Sequence, residues 1–94
     1  MAKLIGKSAI VTGSTSGIGL GIAEALARSG ANVVVNGLGS DTDIESAVTA
    51  VQGAGEGRVE FSPANMKVPG EISTMVELAA AAFGGVDILV NNAG

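Results

Sequence analysis

The chain has 94 residues, 47% of them hydrophobic, and a formal net charge of −4. This length allows one small domain with an aliphatic core, and the negative balance argues against nucleic acid or anionic lipid as a partner. The sequence has no cysteine and no histidine, no stretch of membrane-spanning length and no signal-peptide core at its start, so we expect a cytoplasmic protein without a bound metal ion.

A strand and a helix are predicted at the start of the chain, with a glycine-rich turn between them. The unbroken apolar run before the turn predicts a strand buried on both faces, over about residues 8–12. After the turn, apolar residues recur at the spacing of a helix that continues to Ser29: Ile18, Ile22, Ala25 and Leu26. Gly30 is placed to end this helix in the left-handed conformation.

The turn between this strand and helix has the composition of an anion-binding site. Backbone N–H groups and the positive end of the helix dipole favour a bound phosphate there, provided that no side chain blocks its approach. We assign Gly13 to the tight turn, Gly17 to close approach of the backbone to a diphosphate, and Gly19 to tight packing of the helix on the strand. Three hydroxyl groups are further donors: Ser14, Thr15 and Ser16. A glycine-rich turn that binds nothing is the alternative.

The loop after the second predicted strand, at residues 33–35, bears on which dinucleotide fits. In dinucleotide-binding folds an acidic residue at this point binds the ribose 2′-hydroxyl, or an arginine binds a 2′-phosphate. Gly37 occupies the acidic position, and no lysine or arginine falls between Arg28 and Arg58. A 2′-phosphate would lack a counter-charge, which favours NAD over NADP, with Leu38 near the adenine. An ordinary loop is the alternative.

Two further helices are predicted, each with one apolar face. The first begins with a cap at Ser40 or Asp41, and the second has Pro69 in its first turn. Their apolar faces are Ile44, Ala47, Val48 and Val51 in the first, and Ile72, Met75, Val76, Ala79 and Phe83 in the second.

The last two predicted strands lie on either side of the third helix. Residues 58–62 alternate polar and apolar side chains, which suits a strand at the sheet edge, and residues 86–90 form an apolar fourth strand. After the third strand, Asn65 can accept a hydrogen bond from an adenine amino group, and the Met66 N–H can donate to the ring. A turn asparagine is the alternative for Asn65.

Two motifs together resemble those of the short-chain dehydrogenase/reductase family. They are Thr12-Gly13-x-x-x-Gly17-Ile18-Gly19 in the first turn and Asn91-Asn92-Ala93-Gly94 after the fourth strand. The resemblance implies an α/β fold, a Rossmann-type doubly wound parallel sheet of strand order 3-2-1-4 with three helices. Residues 1–94 would be the dinucleotide-binding part of a single domain and would stop before its catalytic half. The implied cofactor-binding residues are Gly13, Thr15, Ser16, Gly17, Ile18, Gly19, Leu38, Asn65, Met66, Asn91, Ala93 and Gly94.

The resemblance also implies roles and departures at single positions. Asn91 would help to hold the strands and the adenosine ribose, while Ala93 and Gly94 would allow close approach of the cofactor. Asn65 stands where the family usually has an aspartate, and Ser16 stands where phosphate-preferring relatives often carry a base.

For function, the resemblance implies hydride transfer between a nicotinamide cofactor and a secondary alcohol, a small-molecule substrate, in an enzyme that is commonly a homotetramer. The family's serine, tyrosine and lysine would follow residue 94, and the 94-residue chain alone is expected to be inactive. Residues 13–23 and 36–39 look most like those of the NAD-dependent D-3-hydroxybutyrate dehydrogenases. The alternatives are an NADP-dependent 3-oxoacyl carrier-protein reductase and a non-catalytic nucleotide-binding or assembly module.

Overall fold

The structure, a computed structural model, describes residues 3–92, in which strands and helices alternate along the chain. The elements in order are β1 (Ser8–Val11), α1 (Gly17–Arg28), β2 (Asn32–Asn36), α2 (Asp41–Ala54), β3 (Val59–Ser62), α3 (Pro69–Phe83) and β4 (Ile88–Val90). All the strand pairs are parallel, and the sheet order is β3-β2-β1-β4. The predicted Rossmann-type α/β fold with order 3-2-1-4 is therefore confirmed.

The two central strands form the core because helices cover both of their faces. Val33 and Val35 of β2 pack with Val11 of β1 against α1 and α2, whereas Val34 and Ile10 pack against α3. All five side chains are buried. Apolar residues on both faces of a strand are typical of a parallel sheet sandwiched between helices. This arrangement leaves the carboxyl ends of the strands at one edge of the sheet, where the loops that follow them meet.

α1 packs on the sheet through small residues. The buried residues of this helix are Gly19, Ala23 and Ala27, four positions apart. Ile18 is 78% exposed, and Ala25 is also exposed. The predicted helix is confirmed, and its close approach to β1 leaves room only for glycine and alanine on the buried face.

The ends of the elements show which capping predictions hold. α1 ends at Arg28, after which the N–H groups of Gly30 and Ala31 bond to the Ala27 and Leu26 carbonyls. With Gly30 at a φ of 99°, this is the predicted left-handed termination. Ser40, rather than Asp41, caps α2, since its side chain accepts from the Asp43 N–H.

The outer elements are less buried than the central ones. β3 is half-exposed, as predicted for an edge strand, and β4 is shorter than predicted, with Leu89 62% exposed. In α3, Met75 and Ala79 are buried, but Val76 is 43% exposed, contrary to the prediction, because it lies at one margin of the apolar stripe. Within residues 3–92, the helices lack the length and apolar character needed to cross a membrane.

Candidate functional site

A cleft of about 590 Å³ opens at the carboxyl ends of β1, β2 and β3. Its lining residues are Gly13, Asn36, Gly37, Leu38, Ala64, Asn65, Met66 and Lys67. The chain leaves β1 toward β2 and β3 on one side, whereas β4 joins β1 on the other side. In doubly wound sheets, ligands bind beyond the strand ends near such a reversal of strand order.

The turn that leads from β1 into α1 borders this cleft. Gly13 and Gly17 have φ values of 62° and 59°, a left-handed conformation that favours glycine. Ser16 is the N-cap of α1, but its side chain makes no capping hydrogen bond, and the first turn of the helix has no acidic residue. A Cβ atom added at Gly17 would meet nothing within 4 Å. The start of α1 is thus uncapped by side chains and faces open space.

Gly19 is the point where α1 touches the turn most closely. A Cβ atom at this position would overlap the carbonyl oxygen of Gly13 and would lie 2.6 Å from the side-chain nitrogen of Asn92. Such contacts are shorter than real Cβ atoms allow. The predicted tight packing at Gly19 is confirmed, and it involves the turn and the end of β4 together.

The asparagine motif after β4 holds the end of β1. The Asn92 N–H donates to the Thr12 hydroxyl at 2.9 Å, and the Asn92 side chain donates to the Gly13 carbonyl at 3.1 Å. Asn91 makes a longer contact of 3.4 Å with the Thr12 hydroxyl. Asn92 was not among the predicted site residues, although it makes the shorter bonds. Ala93 and Gly94, which the sequence places in the cofactor site, lie outside the described residues.

Asn36 lies at the bottom of the cleft and is 1% exposed. Its side-chain oxygen accepts from the Gly13 N–H at 3.2 Å, and its side-chain nitrogen donates to the Ser62 and Ala64 carbonyls, both at 3.0 Å. Sequence reasoning treated this residue as part of a loop. The available signal was its position as a polar residue directly after three buried valines.

Two of the three predicted hydroxyl donors remain accessible, but Ser14 does not. Ser14 is fully buried, its hydroxyl donates to the Val11 carbonyl at 2.7 Å, and it accepts from the Asn36 N–H at 2.9 Å. The expectation that Ser14 donates to a ligand is therefore wrong, because its hydroxyl joins the ends of β1 and β2. Thr15 is half-buried and Ser16 is exposed.

Thr15 packs directly against Gly37. A Cβ atom at Gly37 would lie 2.6 Å from the Thr15 hydroxyl oxygen and 2.8 Å from its methyl carbon. The position at which dinucleotide-binding folds often carry an acidic residue thus has no space for a side chain beside Thr15. Leu38, the next residue, is 67% exposed at the cleft.

The loop after β3 forms the remaining wall of the cleft. The Asn65 side-chain oxygen accepts from the Lys67 N–H at 2.9 Å, and the Asn65 N–H donates to the Glu71 carboxylate at 2.9 Å. Asn65 therefore has the role of a turn asparagine, and its oxygen retains a second lone pair. Lys67 is an exposed cation among the lining residues, which the sequence analysis missed.

The predicted cofactor-binding residues fall into groups. Those that line the cleft are Gly13, Leu38, Asn65 and Met66. Three are exposed at the start of α1, namely Ser16, Gly17 and Ile18, and Asn91 is exposed after β4. Thr15 packs closely against Gly37, and Gly19 packs closely against Gly13.

The family model and two relatives that match this chain are all described as dehydrogenases. Residues 7–94 match the family model described as short chain dehydrogenase. The chain is 52% identical over 88 residues, and 55% identical over 92 residues, to the D-beta-hydroxybutyrate dehydrogenases of Rhizobium meliloti and Cupriavidus necator. These alignments cover 94% and 97% of this chain. The chain spans 34% of the length of each of these two relatives.

A 3-oxoacyl-[acyl-carrier-protein] reductase of Staphylococcus epidermidis is 42% identical over 88 residues, which cover 94% of this chain and 36% of that protein. The parallel sheet, the glycine-rich turn before α1 and the asparagine motif after β4 agree with the matched family. From this agreement and the match over residues 7–94, we conclude that the chain belongs to the short-chain dehydrogenase family.

Proposed function

We propose that this chain is the NAD-binding part of an oxidoreductase that converts D-3-hydroxybutyrate to acetoacetate. Family membership supports a nicotinamide-dependent oxidoreductase, and the names of two relatives that are 52% and 55% identical support the substrate. When bound, NAD supplies the nicotinamide carbon that accepts the hydride from the alcohol. The chain contains no tyrosine, so we place the family's acid–base residue outside residues 1–94.

The observation that carries this proposal is the open space at Gly17. The start of α1 has no side-chain cap, and nothing within 4 Å would meet a Cβ atom at Gly17. Backbone N–H groups at an uncapped helix start bind phosphate oxygens well. We propose that the residues from Ser16 to Gly19 hold the diphosphate, with the adenosine in the adjoining cleft between Leu38 and Met66.

We propose NAD rather than NADP because of the residues around the end of β2. Gly37 and Leu38 carry no charge, and Thr15 occupies the space beside Gly37. Lys67, across the cleft in the loop after β3, is the cation among the described lining residues. An exposed lysine gives a 2′-phosphate less binding energy than a bidentate arginine beside it would give.

The experiment that tests the cofactor assignment is a titration of the full-length protein with NAD and with NADP. We expect NAD to bind at least about tenfold more tightly, since a 2′-phosphate loses hydration and gains only the exposed Lys67 as a charge partner. Lys67→Gln should change the affinity for NAD by no more than about twofold, and it should weaken the binding of NADP further. Tighter binding of NADP by the unmodified protein would contradict the assignment.

The contact between Thr15 and Gly37 gives a second prediction. Gly37→Ala should weaken NAD binding about tenfold, because its methyl group must displace Thr15, a proposed cofactor-binding residue. Thr15→Ala removes both atoms of the closest contacts, so the double variant Thr15→Ala/Gly37→Ala should bind nearly as well as Thr15→Ala alone. Isothermal titration of the four proteins measures this coupling. Additive losses would show that the two positions act independently.

Lys67 is the observation that favours a second candidate, an NADP-dependent 3-oxoacyl carrier-protein reductase. The same titration separates the two, because this candidate requires NADP to bind more tightly. A non-catalytic nucleotide-binding module would bind the cofactor without turnover of either substrate by the full-length protein. We further propose that the full-length protein is cytoplasmic, acts on a small-molecule substrate and forms a homotetramer. Light scattering checks the oligomeric state.

A further inference from the structure

The side chain of Asn36 makes three hydrogen bonds at the bottom of the cleft. Its oxygen accepts one bond, from the Gly13 N–H, and its nitrogen donates both hydrogens, to the Ser62 and Ala64 carbonyls. The residue is 1% exposed. Within the described residues, no buried side-chain nitrogen or oxygen is without a partner. Both donor hydrogens of this amide are therefore committed to protein contacts.

These bonds reach beyond the end of the sheet on both sides of β2. The ladder pairs Val11 with Val35 and Asn36 with Ser62. Beyond it, the Ser14 N–H donates to the Asn36 carbonyl and the Ser14 hydroxyl accepts from the Asn36 N–H, so the turn after β1 is also bonded to the backbone of β2. One side-chain amide then holds Gly13 in the turn before α1 and Ala64 in the loop before α3. Both of these residues line the cleft.

We propose that Asn36 is a positioning residue that fixes the distance between the diphosphate-binding turn, residues 13–17, and the adenosine-side loop, residues 64–67. The inference rests on the proposed nucleotide site and adds a residue that does not touch the nucleotide. Because the two loops are joined before a ligand binds, binding loses less conformational entropy in these loops. The Gly13 N–H, being bonded to Asn36, is not one of the donors to the diphosphate.

Only an amide satisfies these three backbone groups together. An aspartate has the same shape and can accept from the Gly13 N–H, but as a carboxylate it would face the Ser62 and Ala64 carbonyl oxygens without a hydrogen to donate. A protonated aspartate regains one donor. Burial and the facing carbonyl oxygens favour this neutral form, which raises the pKa of the introduced carboxyl above the ordinary value of about 4.

The test is Asn36→Asp in the full-length protein, with ADP-ribose as the probe because it contains the diphosphate and the adenosine. At pH 8 we expect Asn36→Asp to bind ADP-ribose at least about tenfold more weakly than the unmodified protein does. At pH 5.5 we expect this difference between the two proteins to be smaller by at least about threefold. The ratio to the unmodified protein removes any pH dependence due to Lys67 and Glu71, the ionisable residues beside the cleft. Circular dichroism at both pH values confirms folding.

Asn32→Asp is the matched control at the opposite end of β2. The Asn32 side-chain oxygen accepts from the Arg58 N–H at 2.9 Å, and a carboxylate can accept the same bond. This variant adds the same charge to the same strand, and we expect its affinity to stay within about twofold at both pH values. If Asn32→Asp loses as much ADP-ribose affinity as Asn36→Asp does, the effect is due to the added charge and the inference is overturned.

The outcomes separate this inference from the proposed function. If the unmodified protein binds neither ADP-ribose nor NAD, the nucleotide site itself is wrong. If it binds and Asn36→Asp binds equally well, or is weakened equally at both pH values, the positioning role is wrong. Should Asn36→Asp not fold, amide hydrogen exchange of the unmodified protein decides: the Gly13 N–H should be protected without ligand, and exchange as fast as that of Gly17 would overturn the inference.

Discussion

Gly19→Ala should destabilise the protein by about 3 kcal/mol and abolish measurable NAD binding, because one methyl group has no space between α1 and the turn after β1. The added carbon would overlap the Gly13 carbonyl oxygen and lie 2.6 Å from the Asn92 side-chain nitrogen. Backbone on one side and a hydrogen-bonded side chain on the other give little room for adjustment. Relief requires that α1 move away from β1, which displaces the first turn of the helix from the diphosphate.

Gly21→Ala is the control for this prediction, since Gly21 lies on the same helix and a Cβ atom there meets nothing within 4 Å. We expect this variant to be more stable by about 0.5–1 kcal/mol, because alanine restricts the unfolded chain more than glycine does. Thermal unfolding of the full-length variants with and without NAD measures both effects. A melting temperature for Gly19→Ala at or above that of Gly21→Ala would contradict the packing described for this turn.

The fold was predictable because its signals are local. Three consecutive valines at residues 33–35 predict a strand covered on both faces, and the glycines at 13, 17 and 19 predict the turn before a helix. What the spacing of apolar residues could not show was which face α1 buries. The helix approaches β1 so closely that Gly19 lies in the interface, while the larger Ile18 stays exposed.

The interior of the cleft was harder to predict because its contacts join distant parts of the chain. The side chain of Asn36 bonds to residues 23, 26 and 28 positions away, and Asn92 bonds to residues 79 and 80 positions away. The position of Asn36 after three valines and that of Asn92 in the motif after β4 mark both residues, but neither position shows which distant backbone groups they bond. The sequence motif drew attention to residue 91, whereas the shorter bonds to the end of β1 are made by residue 92.

Lys67 could have been found from the sequence by using the predicted strand order more fully. A base that binds a 2′-phosphate was expected in the turn after β1 or in the loop after β2. Because β3 lies beside β2 in a parallel sheet, the loop after β3 opens on the same cleft, and Lys67 follows that strand by a few residues. Every loop at the carboxyl edge of such a sheet therefore has to be considered when a cofactor is assigned.

Gly17→Ala should reduce NAD affinity about 100-fold while leaving the fold intact, because the methyl group would project into the space assigned to the diphosphate. The free protein has room for it, since nothing lies within 4 Å of that position. The left-handed φ of 59° costs alanine about 1 kcal/mol, so some loss of stability is expected. Such strain alone cannot account for a 100-fold change in affinity.

Gly84→Ala separates strain from steric blocking of the ligand. Gly84 ends α3 with a φ of 88° and also has nothing within 4 Å of an added Cβ atom, but it lies before the start of β4, at the opposite edge of the sheet from the cleft. Both variants should lose similar stability, and only Gly17→Ala should lose NAD affinity in equilibrium titrations. If the two variants bound NAD equally well, the backbone at the start of α1 could not be what holds the diphosphate.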